Sequence, residues 1–263
     1  MSSNLHWAVL PHNRPIVDCN VGSQNAALRE LLSIPDITYK LLSELTVVPL
    51  TVNDVLYEQG DHIEFVYFPL DSVISGIAIT TDGTAMETSM VGRDGLAGIS
   101  ALLNTDICRQ WIWVTIGGSA IKVETKLIGK LLIHHETALK SFLRYYRSLI
   151  TQVAQRCVCN TRHTIMERLC CWLLMIDDRV GPGNLKLTQE MIASRIGVRR
   201  AGITVAAGSL QEMNAIDYRR GQLNIRSRKI LEQMVCECYT LIAVPFEPNN
   251  QVATPANANQ VTG

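Results

Sequence analysis

The sequence predicts an α+β fold: an N-terminal antiparallel β-roll, jelly-roll-like in its strand pattern, then a long helix, then two short helices followed by a β-hairpin. Three observations carry this. From Val47 to Glu124, short runs rich in Val, Ile, Thr and Tyr alternate with Gly and Asp turns at intervals of about ten residues, the pattern of an all-β sandwich or closed roll. From Glu136 to Gln155 neither Pro nor Gly interrupts a helical repeat. From Leu187 to Ile225 two helical patterns meet at Gly197 and are followed by a basic hairpin.

Residues 1–30 read as a loosely ordered extension, with Pro11 and Pro15 among few periodic apolar residues. Helical spacing begins near Asn25, with Leu28, Leu31 and Leu32, and a second short helix carries Tyr39, Leu41, Leu42 and Leu45. The expected strands are Val55–Tyr57, Phe65–Phe68, Val73–Thr80, Ala85–Val91, Trp111–Ile116 and Ala120–Glu124. Ile77–Thr84 reads as a hairpin in which Asp82-Gly83 supplies the positive φ values of the turn. Val91–Leu103 breaks the strand rhythm. Its glycines precede a short helical turn and could aim N–H groups at an anion with help from Arg109, although a Gly-rich turn is more often plain roll architecture.

In the long helix Leu139, Phe142, Tyr146, Leu149 and Val153 recur at spacings of 3, 4, 3 and 4, a heptad-like seam. An amphipathic helix packed on its own roll and a two-fold dimer interface both fit. Polar Gln152 and Arg156 beside the seam favour the interface. Thr164–Asp177 is a further helix whose Leu169, Cys170, Trp172, Leu173 and Ile176 look buried, and Gly181-Pro182-Gly183-Asn184 ends it.

Thr188 suits a helix N-cap, and Met191, Ile192 and Ile196 give the next helix its buried face. Gly197 stands where a tight helix–helix turn needs positive φ. A second helix, from about Arg199 to Met213, turns Ile203, Ala206, Ala207 and Leu210 inward and leads with Arg199 and Arg200. Gly202 and Gly208 weaken it, at about 1 kcal/mol each relative to Ala. Ala215–Ile225 folds back around Arg219-Arg220-Gly221-Gln222 as a basic wing. Together these are a winged helix-turn-helix, whose Arg-led second helix belongs in a DNA major groove.

Composition is globular, with 47% hydrophobic and 18% charged residues. The absence of a long apolar run and of a leader-like start predicts a cytoplasmic protein with no membrane partner. The zero net charge conceals a division. Residues 1–130 hold 14 Asp/Glu against 8 Lys/Arg, while residues 186–229 hold 9 Lys/Arg against 3 Asp/Glu. An acidic front joined to a basic segment suits a DNA-binding domain on an acidic partner domain. None of the eight cysteines forms a Cys-x-x-Cys motif, so they are expected to be structural thiols, with Cys170–Cys171 as core filler and metal binding or redox sensing as the lesser alternatives, and no metal site or cofactor is predicted.

Over residues 40–240 the chain resembles the CRP/FNR family of bacterial transcription regulators. The resemblance rests on Tyr67-Phe68-Pro69 with Val73-Ile74-Ser75, on Val91-Gly92-Arg93-Asp94-Gly95, and on Leu187-Thr188-Gln189 through Gly197-Val198-Arg199-Arg200. It implies a homodimer on a pseudo-palindromic promoter site, in contact with RNA polymerase. It also implies a domain order of extension 1–30, cyclic-nucleotide-binding-like roll 31–130, dimerisation helix 131–160, winged helix-turn-helix 161–240 and disordered tail 245–263. The implied DNA-contacting set is Thr188, Gln189, Arg199, Arg200, Ala201, Thr204, Arg219 and Arg220, with Arg200 at the guanine-reading position. Ala201 replaces the usual Glu, and Val205 replaces a basic residue.

The nucleotide cassette is degenerate. Gly98 stands, but Ile99 occupies the place of the ribose-binding Glu, and Gln110 follows Arg109 where the family has Ser or Thr. An Ile cannot accept the ribose hydrogen bond, so loss of cyclic-nucleotide binding is expected. Iron–sulfur members carry an N-terminal cysteine cluster, and here Cys19 alone precedes the roll. Two other readings stay open: a cyclic-nucleotide-responsive regulator, kept by Arg109, and a metal-dependent β-roll enzyme, for which His62 and Glu64 are the meagre ligands. No catalytic residue is expected.

Overall fold

The computed structural model describes residues 22, 24–103 and 106–243. The expectations for most of the N-terminal extension, for Cys19 and for the tail from 245 lie outside the described residues. Two short helices, α1 (Ala26–Leu32) and α2 (Pro35–Leu41), lead into strands β1 (Thr46–Leu50), β2 (Val55–Tyr57), β3 (Phe65–Pro69), β4 (Val73–Ile79), β5 (Ala85–Val91), β6 (Trp111–Ile116) and β7 (Gly118–Glu124). Helix α3 (Thr125–His134), the 27-residue α4 (Glu136–Arg162) and α5 (Ile165–Val180) follow. The C-terminal part is β8 (Leu185–Lys186), α6 (Gln189–Ile196), α7 (Arg200–Glu212), β9 (Ile216–Arg219), β10 (Gln222–Ile225), α8 (Arg228–Met234) and α9 (Cys238–Ile242).

The roll is antiparallel throughout, with sheets ordered β1-β7-β3 and β2-β6-β4-β5. Its interior is filled by Tyr57, Ile63, Tyr67, Ile74, Ile112 and Val114, with the Tyr57 and Tyr67 rings edge to face at 6.3 Å. The other face of β3 and β7 presents Val66, Phe68, Ile121 and Val123 to a second core, built with Leu28, Ile37, Ile128 and Phe142. A sheet covered on both faces needs apolar residues at consecutive positions, which is why Phe65–Pro69 reads as an unbroken apolar run.

Several expectations change in detail. Strand β1 is an addition to the expected set. Pro49 argues against a strand there, but β1 is an edge strand paired only with β7, where a missing N–H is tolerated. In the β4–β5 turn only Gly83 takes positive φ, at 82°. Asp82 instead accepts hydrogen bonds from the Thr80 hydroxyl and the Thr84 amide, which hold its carboxyl below the usual carboxylate range. Tyr39 is 88% exposed, and the buried face of α2 is Ile37 and Leu41.

Helix α4 is rotated from the expected seam. Its stripe toward its own chain is Ala138, Ser141, Phe142, Tyr145, Gln152, Arg156 and Cys159, so Phe142 is a core residue and Gln152 and Arg156 face inward. The side left open carries Leu139, Leu143 and Ile150, with Tyr146 and Val153 half-buried, at spacings of 4, 3, 4 and 3.

The glycines of Val91–Leu103 serve packing. A Cβ on Gly95 would fall 2.1 Å from the Tyr145 ring, and one on Gly92 would fall 2.4 Å from Arg179 Cβ. Asn25 locks the same turn from the N-terminal side. It caps α1 by accepting from the Leu28 amide, and its Nδ2 donates to the carbonyls of Pro69 at 2.9 Å and Gly95 at 2.8 Å. Replacing Asn25 by Ala removes a cap and strands buried carbonyls, so denaturant titration should show a loss of about 2–4 kcal/mol. Asn25→Asp keeps the cap acceptor but sets a buried carboxylate oxygen against the Pro69 and Gly95 carbonyls, so it should lose at least as much.

Candidate nucleic-acid interface

The C-terminal domain grows from local signals that agree with one another. Thr164 and Glu167 close a capping box at the start of α5, and Thr188 caps α6 by accepting from the Met191 amide. Gly197 ends α6 in the left-handed region, at φ 71° and ψ 47°, turning the chain into α7. Ile203, Ala206, Ala207 and Leu210 are buried, as their spacing requires. A Cβ on Gly202 would lie 2.6 Å from the terminal methyl of Ile165, which would have to turn aside, whereas Gly208 has open space. The wing is β9 and β10 joined through Arg220 (φ 50°) and Gly221 (φ 76°), and β10 also pairs with β8. Two consecutive positive φ values are those of the tight hairpin turn that matches strand twist.

Three junctions make one continuous surface of these parts. The Leu187 amide donates to the Gly221 carbonyl at 2.9 Å, and Tyr218 Oη donates to the Leu187 carbonyl at 3.0 Å, fixing the wing to the start of α6. Thr204 Oγ1 bonds Gln189 Oε1 at 2.7 Å, fixing α6 to α7. Thr188, Arg199, Arg200, Ala201, Thr204, Arg219 and Arg220 are exposed, and Gln189 is half-buried. The helical spacing puts Arg200, Ala201, Thr204 and Val205 on the same side of α7, and Val205 is 71% exposed.

The basic residues of this segment divide by role. Arg195 is buried, with its guanidinium 5.0 Å over the Trp113 ring, and Arg228 is bonded to Asp177 at 2.6 Å and Asp178 at 2.7 Å. Arg226 pairs with Asp217 at 2.9 Å, and Arg219 approaches the same carboxylate at 3.5 Å. Arg199, Arg200 and Arg220 form no ion pair among the described residues. No acidic residue occupies the first turn of α7, so the positive end of its dipole adds to Arg199 and Arg200.

The expected effector residues do not converge. Gly98 is buried at φ 90°, with the Phe65 carbonyl 3.1 Å from where a Cβ would stand. Ile99 packs against the helical core outside the roll. Arg109 is exposed, and the Gln110 amide is held by the Thr88 hydroxyl at 2.8 Å. His62, the ligand imagined for an enzyme, pairs with Asp106 at 2.9 Å on the surface.

Sequence reading missed a group that the fold assembles: Cys159, His163, Cys236 and Cys238, whose ligating atoms all lie within 4.8 Å of one another. The signal available was Cys-x-x-x-His at the end of the long helix together with Cys-x-Cys, not Cys-x-x-Cys. The neighbouring Cys171 thiol, and after it His163, pull the Cys159 thiol below its ordinary value.

Residues 167–234 match the family model of the Crp-like helix-turn-helix domain. No curated protein matches the chain by sequence. Among solved structures, FixK2 from Bradyrhizobium japonicum superposes with a TM-score of 0.63 at 17% identity, over 73% of this chain and 98% of its own. A CRP-family transcriptional regulator from Thermus thermophilus gives 0.59 at 14%, over 76% and 98%. The c-di-GMP-responsive global regulator CLP of Xanthomonas campestris gives 0.54 at 11%, over 72% and 98%.

Arg220 carries a local strain that glycine would relieve. Replacing Arg220 by Gly should raise stability by about 0.5–1 kcal/mol in thermal melts, whereas Arg220→Val should lower it. No described helix is long and apolar enough to cross a membrane. Residues 167–234 are thus a Crp-like helix-turn-helix domain, and the roll, long helix and winged domain together have the fold of those solved structures.

Proposed function

We propose that the chain regulates transcription in the cytoplasm as a homodimer on a two-fold-related pair of DNA half-sites, with RNA polymerase as its further partner and without cyclic-nucleotide control. The observation that carries this is the continuous exposed surface from the wing through Thr188 to α7, on which Arg199, Arg200 and Arg220 form no ion pair among the described residues. Arg200 reads a guanine edge, Arg199 and Arg220 hold phosphates, and Val205 with Ala201 offers apolar contact to a thymine methyl. Arg219 shares the wing, with Asp217 beside it. Residues 31–130 act as the roll domain, 131–160 as the dimer helix and 161–240 as the DNA-binding domain. This role uses no catalytic residue.

Duplex binding measured across a salt series tests the interface. Arg199→Ala and Arg220→Asn should each lower affinity for all sequences and reduce the salt slope by about one unit. Arg200→Ala should also relax specificity at one base position, at a cost of about 1–3 kcal/mol. Affinity that ignores salt and these changes would refute the reading.

The open stripe Leu139, Leu143, Tyr146, Ile150 and Val153 supports dimerisation through paired α4 helices. Ile150→Asp should halve the mass seen by sedimentation, keep the circular dichroism spectrum and weaken binding to a two-half-site duplex. An unchanged mass would remove α4 from the interface.

The separation of Ile99 from the roll interior, and the Tyr57–Tyr67 pair filling that interior, support loss of nucleotide control. Calorimetry with cyclic AMP and cyclic GMP should show no heat of binding. Micromolar binding of either would restore the ligand-responsive reading.

A further inference from the structure

The end of the long helix and the chain beyond the wing meet in a cluster of soft ligands. Cys159 lies in the last turn of α4 and His163 just beyond its end, in extended backbone, while Cys236 and Cys238 flank Glu237 where α9 begins. Cys159 Sγ and Cys236 Sγ are 3.6 Å apart, and Cys238 Sγ lies 3.3 Å from His163 Nδ1. Tetrahedral zinc with Zn–S about 2.3 Å and Zn–N about 2.0 Å has S–S edges of about 3.8 Å and S–N edges of about 3.5 Å. Those two contacts are close to these edges, and the remaining ones are no longer than 4.8 Å.

Its surroundings are those of a ligand set. The other ring nitrogen of His163, Nε2, faces Glu237 Oε1 at 3.3 Å, the carboxylate–histidine pairing that orients a metal-bound imidazole. Gln155 Nε2 donates to Cys238 Sγ at 3.1 Å, holding that sulfur in place. All three cysteines are buried. Packing alone explains Cys170, a buried apolar thiol in the domain core. It does not explain a histidine turned between a thiol and a carboxylate.

We propose that Cys159, His163, Cys236 and Cys238 bind one zinc ion, which fastens the C-terminal end of α4 to the α8–α9 segment of the DNA-binding domain. Three thiolates and one imidazole in a closed tetrahedral set favour zinc over the harder divalent cations. Binding displaces the thiol protons to solvent, and His163 binds neutral through Nδ1. Cys171 stays outside the set.

The test is metal content of the full-length, tag-free, reduced protein after loading with zinc and dialysis, read by elemental mass spectrometry. One zinc per chain is expected. Cys236→Ser with Cys238→Ser should lose it, while Cys171→Ala and Cys157→Ser should retain it. Cobalt(II) added to the metal-free wild type should give intense tetrahedral d–d bands and thiolate charge transfer, which decides the matter if the double variant fails to fold. A wild type that takes up no zinc when reduced, or weak six-coordinate cobalt bands, overturns the proposal. So does a Cys159–Cys236 disulfide found by mass spectrometry in a protein that still refuses metal after reduction. Zinc content is read without DNA, so this result stands apart from the outcome for the DNA interface.

Discussion

The buried carboxylate of Glu87 is the junction on which the arrangement of the parts depends. Glu87 is 1% exposed on β5, an edge strand of the roll. It accepts from Ser75 Oγ on β4 at 2.6 Å and from Trp172 Nε1 on α5 at 3.0 Å, and Arg156 Nη1 of α4 lies 3.4 Å away. Arg156 reaches on to the carbonyl of Arg195, on the first helix of the helix-turn-helix, at 3.3 Å. A carboxylate taken from water costs several kcal/mol unless its charge and lone pairs are answered, and here the answers come from three separate elements. An apolar contact tolerates sliding, whereas a paired charge with directed donors tolerates one geometry. The roll, the long helix and the DNA-binding domain are therefore held in one mutual orientation.

Neighbouring contacts follow from that orientation. Gln152 covers the open edge of β5, accepting from the Met90 amide at 2.7 Å and donating to its carbonyl at 3.1 Å. Arg179 reaches Asp94 at 2.7 Å, and Arg93 donates to the Asp178 carbonyl, so the Gly-rich turn is stapled to the end of α5. Val73, Met90 and Ile116 of the roll join the core of the C-terminal domain. The charge asymmetry of the sequence acquires a structural meaning here. Part of the basic segment, Arg195 and Arg228, is consumed in internal fastening, and the part that forms no ion pair among the described residues lies at the head of α7 and the tip of the wing.

Most of the fold was readable because local pattern and tertiary burial agree. Strand alternation placed β2 to β7 within a few residues, and Thr188, Gly197 and the inward face of α7 were specified by cap, φ and spacing. What could not be read was decided by partners distant in sequence. Pro49 is acceptable only because its strand lies at an edge, a fact of topology. Helix α4 has apolar residues on two stripes, and only the roll decides which stripe it covers, so Phe142 went to the core and Leu143 and Ile150 to the open side. Asp82 could be placed in a turn but not given its side-chain role. The four-residue sulfur and imidazole cluster joins positions 159 and 238, too far apart for any local spacing rule to connect.

The long helix thus has two working faces with different physics. On one, Gln152, Arg156 and Cys159, with His163 just past the helix end, carry the polar and sulfur contacts to β5, α6 and the α8–α9 segment. On the other runs the open apolar stripe through Leu143, Tyr146 and Ile150. A helix is stiff along its axis and about it, so its two faces cannot turn independently. Whatever seats the apolar stripe also sets the azimuth of Arg156 and Cys159, and through them the position of α6 and, across the Thr204–Gln189 bond, of α7. Placement of the Arg199–Arg200 surface is in this way a property of the whole chain: the roll supplies Glu87, the helix transmits its angle, and the winged domain receives it.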